Sequence, residues 1–457
     1  MPAWESYLEE HANRFVEELI EFLRIPSVSS LSEHVADVER AAQWVAERLR
    51  AAGMEAAEVL PTGGHPVVYG KGPSIPSRPT VLIYGHFDVQ PPDPLNLWTH
   101  PPFSPHVDDS RIWARGASDD KGNMLAPILA AEALMKTTDT LPVNVKFFFE
   151  GQEEIGSPQI EAFITGHREL LACDVVLGAD GSQWDENQPV VVAGRRGLCA
   201  LQVDVYGANQ DVHSGTYGGS FLNPIHALAH LLASLHDDRG RVCVEGFYDA
   251  VESVSEEERR LLAEIPFDEQ TFRAKLGVRR LYGDPSFTPT ERIGIRPTLE
   301  VNGIWGGFQG EGVKTVIPAA AHAKITCRLV PDQDPQDIVE KVSRQIRENA
   351  PDAVSVSVTP LPGSGLPYKM ATDHPGNRAA ASVLSRLYGT APYIARMGGT
   401  IPVCGLFLRH LDAAMVNFSF GLGDENIHAP DEFFRLQNFR RAQRAYCMIL
   451  EELVQHL

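Results

Sequence analysis

The sequence predicts an α/β protein: a mixed, layered sheet flanked by helices, interrupted by a smaller α+β module. Three observations carry that expectation. Apolar strand-like runs alternate with helical patterns between residues 67 and 178. Three of those runs end in acidic clusters, at the strand ends where open α/β sheets gather functional groups. Near Gly194-Arg195-Arg196-Gly197 the pattern switches to half-buried alternation, and it switches back after a Gly/Pro-rich stretch.

Taken in order, residues 4–24 have helical spacing, with Leu8, Phe15, Leu19, Phe22 and Leu23 on one side, and Pro26 ends the pattern. A second helix is expected over 37–52, stopping at Gly53, a suitable C-terminal cap. Strands come next at 67–70, 80–88 and 111–114, then a helix at 120–136, a strand at 143–149, a helix at 158–170 and a strand at 174–178. In the second region, 198–206 alternates like a strand and 223–236 reads as a helix. Residues 246–297 are charged and Pro-containing, a surface excursion. Residues 322–330 alternate again, 335–348 look helical and 353–359 alternate strictly. The stretch 360–367 reads as a return linker. A helix at 375–388, a strand near 415–419 and a terminal helix at 431–455 complete the chain. The expected domains are 1–194 with 371–457, and an inserted module at 195–370.

Bulk properties narrow the function. The chain has 457 residues and a formal net charge of −20, from 40 basic and 60 acidic side chains. Such a surface repels phosphate backbones, so nucleic acid is not an expected partner. The six cysteines include no Cys-x-x-Cys motif and read as reduced, packed residues of a cytoplasmic protein. The acidic start is no secretory signal. No uncharged apolar run reaches the roughly 18 residues of a membrane span, and the best candidate, 124–135, contains Glu132.

The strand-end clusters have the composition of a metal site built for hydrolysis. They are Gly85-His86-Phe87-Asp88-Val89, Gly116-Ala117-Ser118-Asp119-Asp120-Lys121-Gly122 and Glu150-Gly151-Gln152-Glu153-Glu154. Metal-dependent hydrolases need converging nitrogen and oxygen ligands that leave a position for water, and a carboxylate can bridge two ions. His86 is a ligand candidate; Asp88, two residues on, is better placed to hold the His86 ring. One of Asp119 and Asp120 can reach the metals. One of Glu153 and Glu154 can ligate while the other serves as general base, and spacing alone leaves both choices open. Asp180 follows the next strand, and His428 lies in a turn before the terminal helix. An Asp in such a turn is more often a turn former; the weight rests on three clusters recurring in order.

These motifs resemble those of the M20 metallopeptidases, near the cytosolic nonspecific dipeptidase and carnosinase branch, over nearly the whole chain. Further matching motifs are Asp211-Val212-His213-Ser214-Gly215, Lys314-Thr315-Val316-Ile317-Pro318, Cys327-Arg328-Leu329-Val330-Pro331 and Gly398-Gly399-Thr400-Ile401-Pro402. The resemblance implies a zinc-peptidase-like catalytic domain with an inserted lid and dimerisation domain. It implies two divalent ions, zinc first, with manganese or cobalt as substitutes. Asp119 would bridge them through a cis peptide to Asp120, one ion taking His86 and Asp180 and the other Glu154 and His428. Glu153 would be the general acid/base and Asp88 would orient His86. His213 would act in the partner's site of a homodimer, and Arg328, Thr315, Thr400 and Gly399 would hold a small peptide substrate. The implied activity is hydrolysis of dipeptides or short peptides with a free C-terminal carboxylate. The alternative is an N-acyl amino acid amidohydrolase or a carboxypeptidase on the same scaffold. The chain departs from carnosinase-type relatives after the last lid strand, where Leu361-Pro362-Gly363-Ser364-Gly365 lacks their histidine.

Overall fold

Parallel pairing of three apolar runs decides where the acidic clusters finish. The computed structural model describes residues 2–457. Its two main sheets are built from β1 (Ala56–Leu60), β2 (Val67–Lys71), β3 (Thr80–His86), β4 (Asn144–Glu150), β5 (Val175–Gly178), β6 (Gly197–Tyr206), β7 (Thr298–Gly306), β8 (Ala320–Leu329), β9 (Ser355–Gly365) and β10 (Met415–Asn417). The chain divides into two units: Met1–Ala193 with Met370–Ala395 and Val403–Leu457, and Gly194–Lys369 with Arg396–Pro402. The short segment Arg396–Pro402 thus groups with the second unit, although it lies in the returning part of the chain.

In the first unit the six-stranded sheet runs β1-β2-β4-β3-β5-β10. β4, β3, β5 and β10 are mutually parallel, and β2 and β1 complete the sheet antiparallel. The central strands are buried on both faces, which is why they read as continuous apolar runs and not as alternation. The helix Gly122–Thr138 is buried on all sides through Leu134 and packs against the terminal helix Leu436–His456. Glu132 lies in that apolar helix without being an isolated charge. The Tyr7 hydroxyl donates to it at 2.7 Å, and Arg14 and Arg48 pair with its two oxygens. This is a paired core charge, and among the described residues no helix is long and apolar enough to cross a membrane.

The second unit carries an antiparallel sheet of order β7-β8-β6-β9. Inward residues of β6 and β8 (Leu201, Val203, Ala323, Ile325) join Leu228 and Leu231 of the helix Pro224–Ala233, and Ile338 and Val342 of the helix Pro335–Glu348, in one core. The fold departs from the sequence reading at three points. The stretch 360–367 is no linker, because β9 continues to Gly365, with Pro360 opposite Leu201 and a bulge between the pairs at Ala200 and Leu198. An edge strand tolerates prolines because its outward N–H groups have no strand to pair with. β7 was not foreseen; it is an edge strand with both faces largely exposed, so it carries no alternation to read. The N-terminal pattern is two helices, Ala3–Glu10 and Ala12–Leu23, parted at His11. The excursion at 246–297 contains three short helices, Glu256–Ala263, Glu269–Leu276 and Pro289–Gly294.

Candidate metal centre

The register of the parallel strands places the site. His86, the last residue of β3, lies opposite Glu150, the last of β4, and Tyr84 lies opposite Gly178, the last of β5. The residues beyond these strand ends therefore emerge at one edge: Asp88 and Gln90 after β3, Glu153 and Glu154 after β4, Asp180 after β5. Gly85 makes room for the neighbouring loop, since a Cβ there would stand 2.7 Å from Asp120 Oδ2.

Two three-residue donor groups form at this edge: His86, Asp119 and Asp180, and Asp119, Glu154 and His428. In each, the ligand atoms lie within 4.8 Å of one another. Asp119 belongs to both groups and divides its oxygens between them. Its Oδ1 is 3.1 Å from His86 Nε2, and its Oδ2 is 2.9 Å from His428 Nε2. His428 Nε2 is also 3.2 Å from Glu154 Oε2. One carboxylate facing two imidazoles, with a further carboxylate on each side, is the donor chemistry of a dinuclear site, so these residues fit a pair of divalent cations.

Neighbouring groups hold these candidate donors in place. His86 Nδ1 is 3.0 Å from the Asp88 backbone carbonyl. The Asp88 carboxylate is 3.5 Å from the same nitrogen, and it accepts the backbone amides of Glu153 and Glu154, both at 3.1 Å. It therefore caps the 3₁₀ turn that carries both glutamates. Gln90 Nε2 donates to Glu154 Oε2 at 2.9 Å. The Asp119–Asp120 peptide is cis, and Asp120, fully buried, accepts the His86 amide at 3.2 Å.

The acidic groups press on one another. Burial pushes the Glu153 carboxyl well above the usual range; the His86 imidazole opposes the rise, while Asp180, Glu154 and Asp119 add to it. Burial, with Asp119 beside it, raises Glu154 to about 7. Burial would raise Asp119 too, but the imidazoles of His428 and His86 outweigh it and hold that carboxyl below the usual range. Hydrogen bonds to Asp119 and Glu154 push His428 up to about 10. Protons and a divalent cation would therefore compete for the same donor atoms.

The substrate-side residues singled out from sequence lie in the second unit, apart in the chain from the donor groups. His213 pairs through the short ladder Val212–His213 with Val316–Ile317, and its Nδ1 accepts the Gly215 amide at 3.0 Å. Thr315 Oγ1 is 3.4 Å from His213 Nε2. Arg328, on β8, donates to Thr400 Oγ1 at 2.8 Å, and that hydroxyl donates to the Arg196 carbonyl at 2.6 Å. A Cβ on Gly399 would meet Arg195 Nη1 at an ordinary 3.9 Å. In the first unit, His374 caps the helix Pro375–Tyr388, accepting the Gly376 amide at 3.1 Å.

Sequence reasoning passed over Gln90, Arg115, Ser118, Glu425 and Glu432, which contact the ligand-bearing loops. Glu425 and Glu432 flank His428 in the chain, and carboxylates so close to a candidate donor were the signal available.

Known proteins resemble this chain along nearly its whole length. The family model "Peptidase family M20/M25/M40" matches residues 82–452. A Beta-Ala-His dipeptidase of Homo sapiens is 30% identical, covering 98% of this chain and 92% of the human protein. A Cys-Gly metallodipeptidase of Schizosaccharomyces pombe is 31% identical, covering 98% of this chain and 97% of the yeast protein. Among solved structures, an M20 family metallo-carboxypeptidase from Sulfolobus solfataricus superposes with a TM-score of 0.87 at 32% identity, covering 96% of this chain and 99% of that one.

Proposed function

The chain belongs to peptidase family M20/M25/M40, and from that premise we propose that it hydrolyses the amide bond of dipeptides that carry a free C-terminal carboxylate. The observation that carries this reading is the division of Asp119 between His86 and His428, with Asp180 and Glu154 completing the two groups. His86 and Asp180 would hold one divalent cation, Glu154 and His428 a second, and Asp119 both; zinc suits this mixture of imidazole and carboxylate. When bound, such a pair supplies Lewis acidity and lowers the pKa of water toward neutrality.

The chain's own residues do the rest. Glu153, held by the Asp88 cap, takes the proton of the attacking water and returns it to the departing amine. Arg328 pairs with the substrate carboxylate, a contact suited to a guanidinium fork, while Thr400, Gly399 and Thr315 line up the substrate backbone. His213 of the partner subunit would donate to the developing oxyanion in a homodimer formed through the inserted domain. The six cysteines are free thiols, in keeping with a reducing cytoplasm.

The test is a panel of dipeptides and N-acetyl amino acids offered to the zinc-loaded protein. Dipeptides should be cleaved, and Glu153→Ala should keep two metals while losing nearly all turnover. Hydrolysis of the N-acetyl compounds alone would replace this reading with the amidohydrolase. Release of C-terminal residues from longer peptides would favour the carboxypeptidase, the reading supported by the likeness to the Sulfolobus enzyme.

A further inference from the structure

Two buried carboxylates, four residues either side of His428 or closer, reach from the His428 segment into the loop that carries Asp119. Glu432 is fully buried and serves four donors in five consecutive residues. Its Oε1 accepts the backbone amides of Ser118 at 3.0 Å and Asp119 at 3.1 Å. Its Oε2 accepts the Gly116 amide at 2.9 Å and the Arg115 guanidinium at 2.7 Å. Glu425, also fully buried, accepts the Ser118 hydroxyl at 2.6 Å and pairs with Arg435 at 3.0 Å. The backbone joins in: the Ala114 amide donates to the Glu432 carbonyl at 3.0 Å, and Arg111–Trp113 pairs antiparallel with Phe433–Arg435.

The loop needs such a partner. Gly116 has φ +81°, and Val89 Cγ1 would lie 2.5 Å from any Cβ there, so the chain turns sharply and its amides point inward instead of into a ladder. An apolar side chain at 432 would leave three amides without an acceptor and the Arg115 guanidinium with only the Pro91 carbonyl, 3.3 Å away. A carboxylate satisfies all four and fixes where the backbone of Asp119 starts. From that start, Oδ1 and Oδ2 reach His86 and His428. His428 itself holds a left-handed backbone, φ +62°, between the two anchoring glutamates.

We infer that Glu432 is a positioning residue for the shared carboxylate of Asp119: it locks the Asp119 loop to the segment that carries His428, and so sets the geometry in which one carboxylate serves two cations. This rests on the reading of Asp119 as the bridging ligand.

The test uses the full-length protein stripped of metal, titrated calorimetrically with zinc and, separately, with Co²⁺ followed by visible absorption. Wild type should take up two equivalents. Glu432→Gln puts an NH₂ against an amide or guanidinium donor. It should weaken at least one equivalent by about 10- to 100-fold and alter the cobalt spectrum, as loss of a partner behind a metal ligand does. It should also lower kcat more than it changes KM. Glu432→Asp keeps the charge but shortens the stem, and should show the same changes to a smaller degree; it decides the matter if the Gln variant does not fold. Unchanged zinc affinities and cobalt spectrum, with only thermal stability reduced, would overturn the inference and leave Glu432 a structural tie. Failure of wild type to bind a second equivalent would instead remove the bridging reading beneath it.

Discussion

Asp88→Asn separates two ways in which a carboxylate behind the site can act. If Asp88 chiefly orients His86, its loss should release a metal. The distances favour a different division of labour. His86 Nδ1 meets the Asp88 backbone carbonyl at 3.0 Å, a contact that survives any side-chain change, whereas the carboxylate stands 3.5 Å away. Its two oxygens accept the amides of Glu153 and Glu154, each at 3.1 Å. An asparagine has one acceptor, so one amide would face an NH₂ group. Losing one charge-assisted hydrogen bond at a buried site costs about 1.5–3 kcal/mol. If that falls on the placement of Glu153 in the transition state, kcat drops about 10- to 100-fold. The assay is steady-state dipeptide hydrolysis beside metal analysis of the same preparation. The expected result is a fall in kcat with metal content close to wild type and little change in KM. Loss of one metal per chain, with activity per bound pair unchanged, would refute the reasoning and return Asp88 to the role of holding the His86 ring.

Burial pushes the Glu150 carboxyl up to about 8, helped by Asp88 and opposed by the Tyr84 and Ser157 hydroxyls that donate to it. The folded chain therefore keeps a proton that the unfolded chain releases near 4.5, so this contribution is full below that pH and is lost as pH rises toward about 8. Denaturation midpoints should show Glu150→Gln gaining on wild type by up to about 1.4 kcal/mol per pH unit across that window; a constant difference would mean that Glu150 is ionised in the fold. Arg328→Ala should raise KM for dipeptides by about 10- to 100-fold and leave C-terminally amidated analogues unaffected; equal effects on both would detach Arg328 from the carboxylate. His213→Ala should lose turnover but keep metal, and mixing it with Glu153→Ala under conditions of subunit exchange should restore part of the activity. No recovery, with exchange demonstrated, would place each site within one chain.

Chemical identity and order were legible without coordinates. His86, the Asp119-Asp120 pair, the Glu153-Glu154 pair and Asp180 stood out because each follows a strand-like run, three of which are buried parallel strands, while the choice within each pair came from the family resemblance and not from spacing. The inserted unit was visible where strict alternation, typical of a sheet with one face exposed, replaced those runs. Edges were only partly visible. β7 presents exposed residues on both faces and so carries no strand periodicity, while β9 alternates in its first half but continues through two prolines that hide where it ends.

What the sequence by itself determined is the inventory: donor types, their places at strand ends, and a fold able to gather them, because hydrophobic periodicity is a local property of the chain. Only the tertiary structure decided the partnerships. Register set His86 against Glu150, placed the Asp88 carboxylate on two amides 65 and 66 residues away, and carried Glu432 across 313 residues to the Asp119 amide. A hydrogen bond depends on a few tenths of an ångström between groups remote in the chain, and no local pattern encodes that distance.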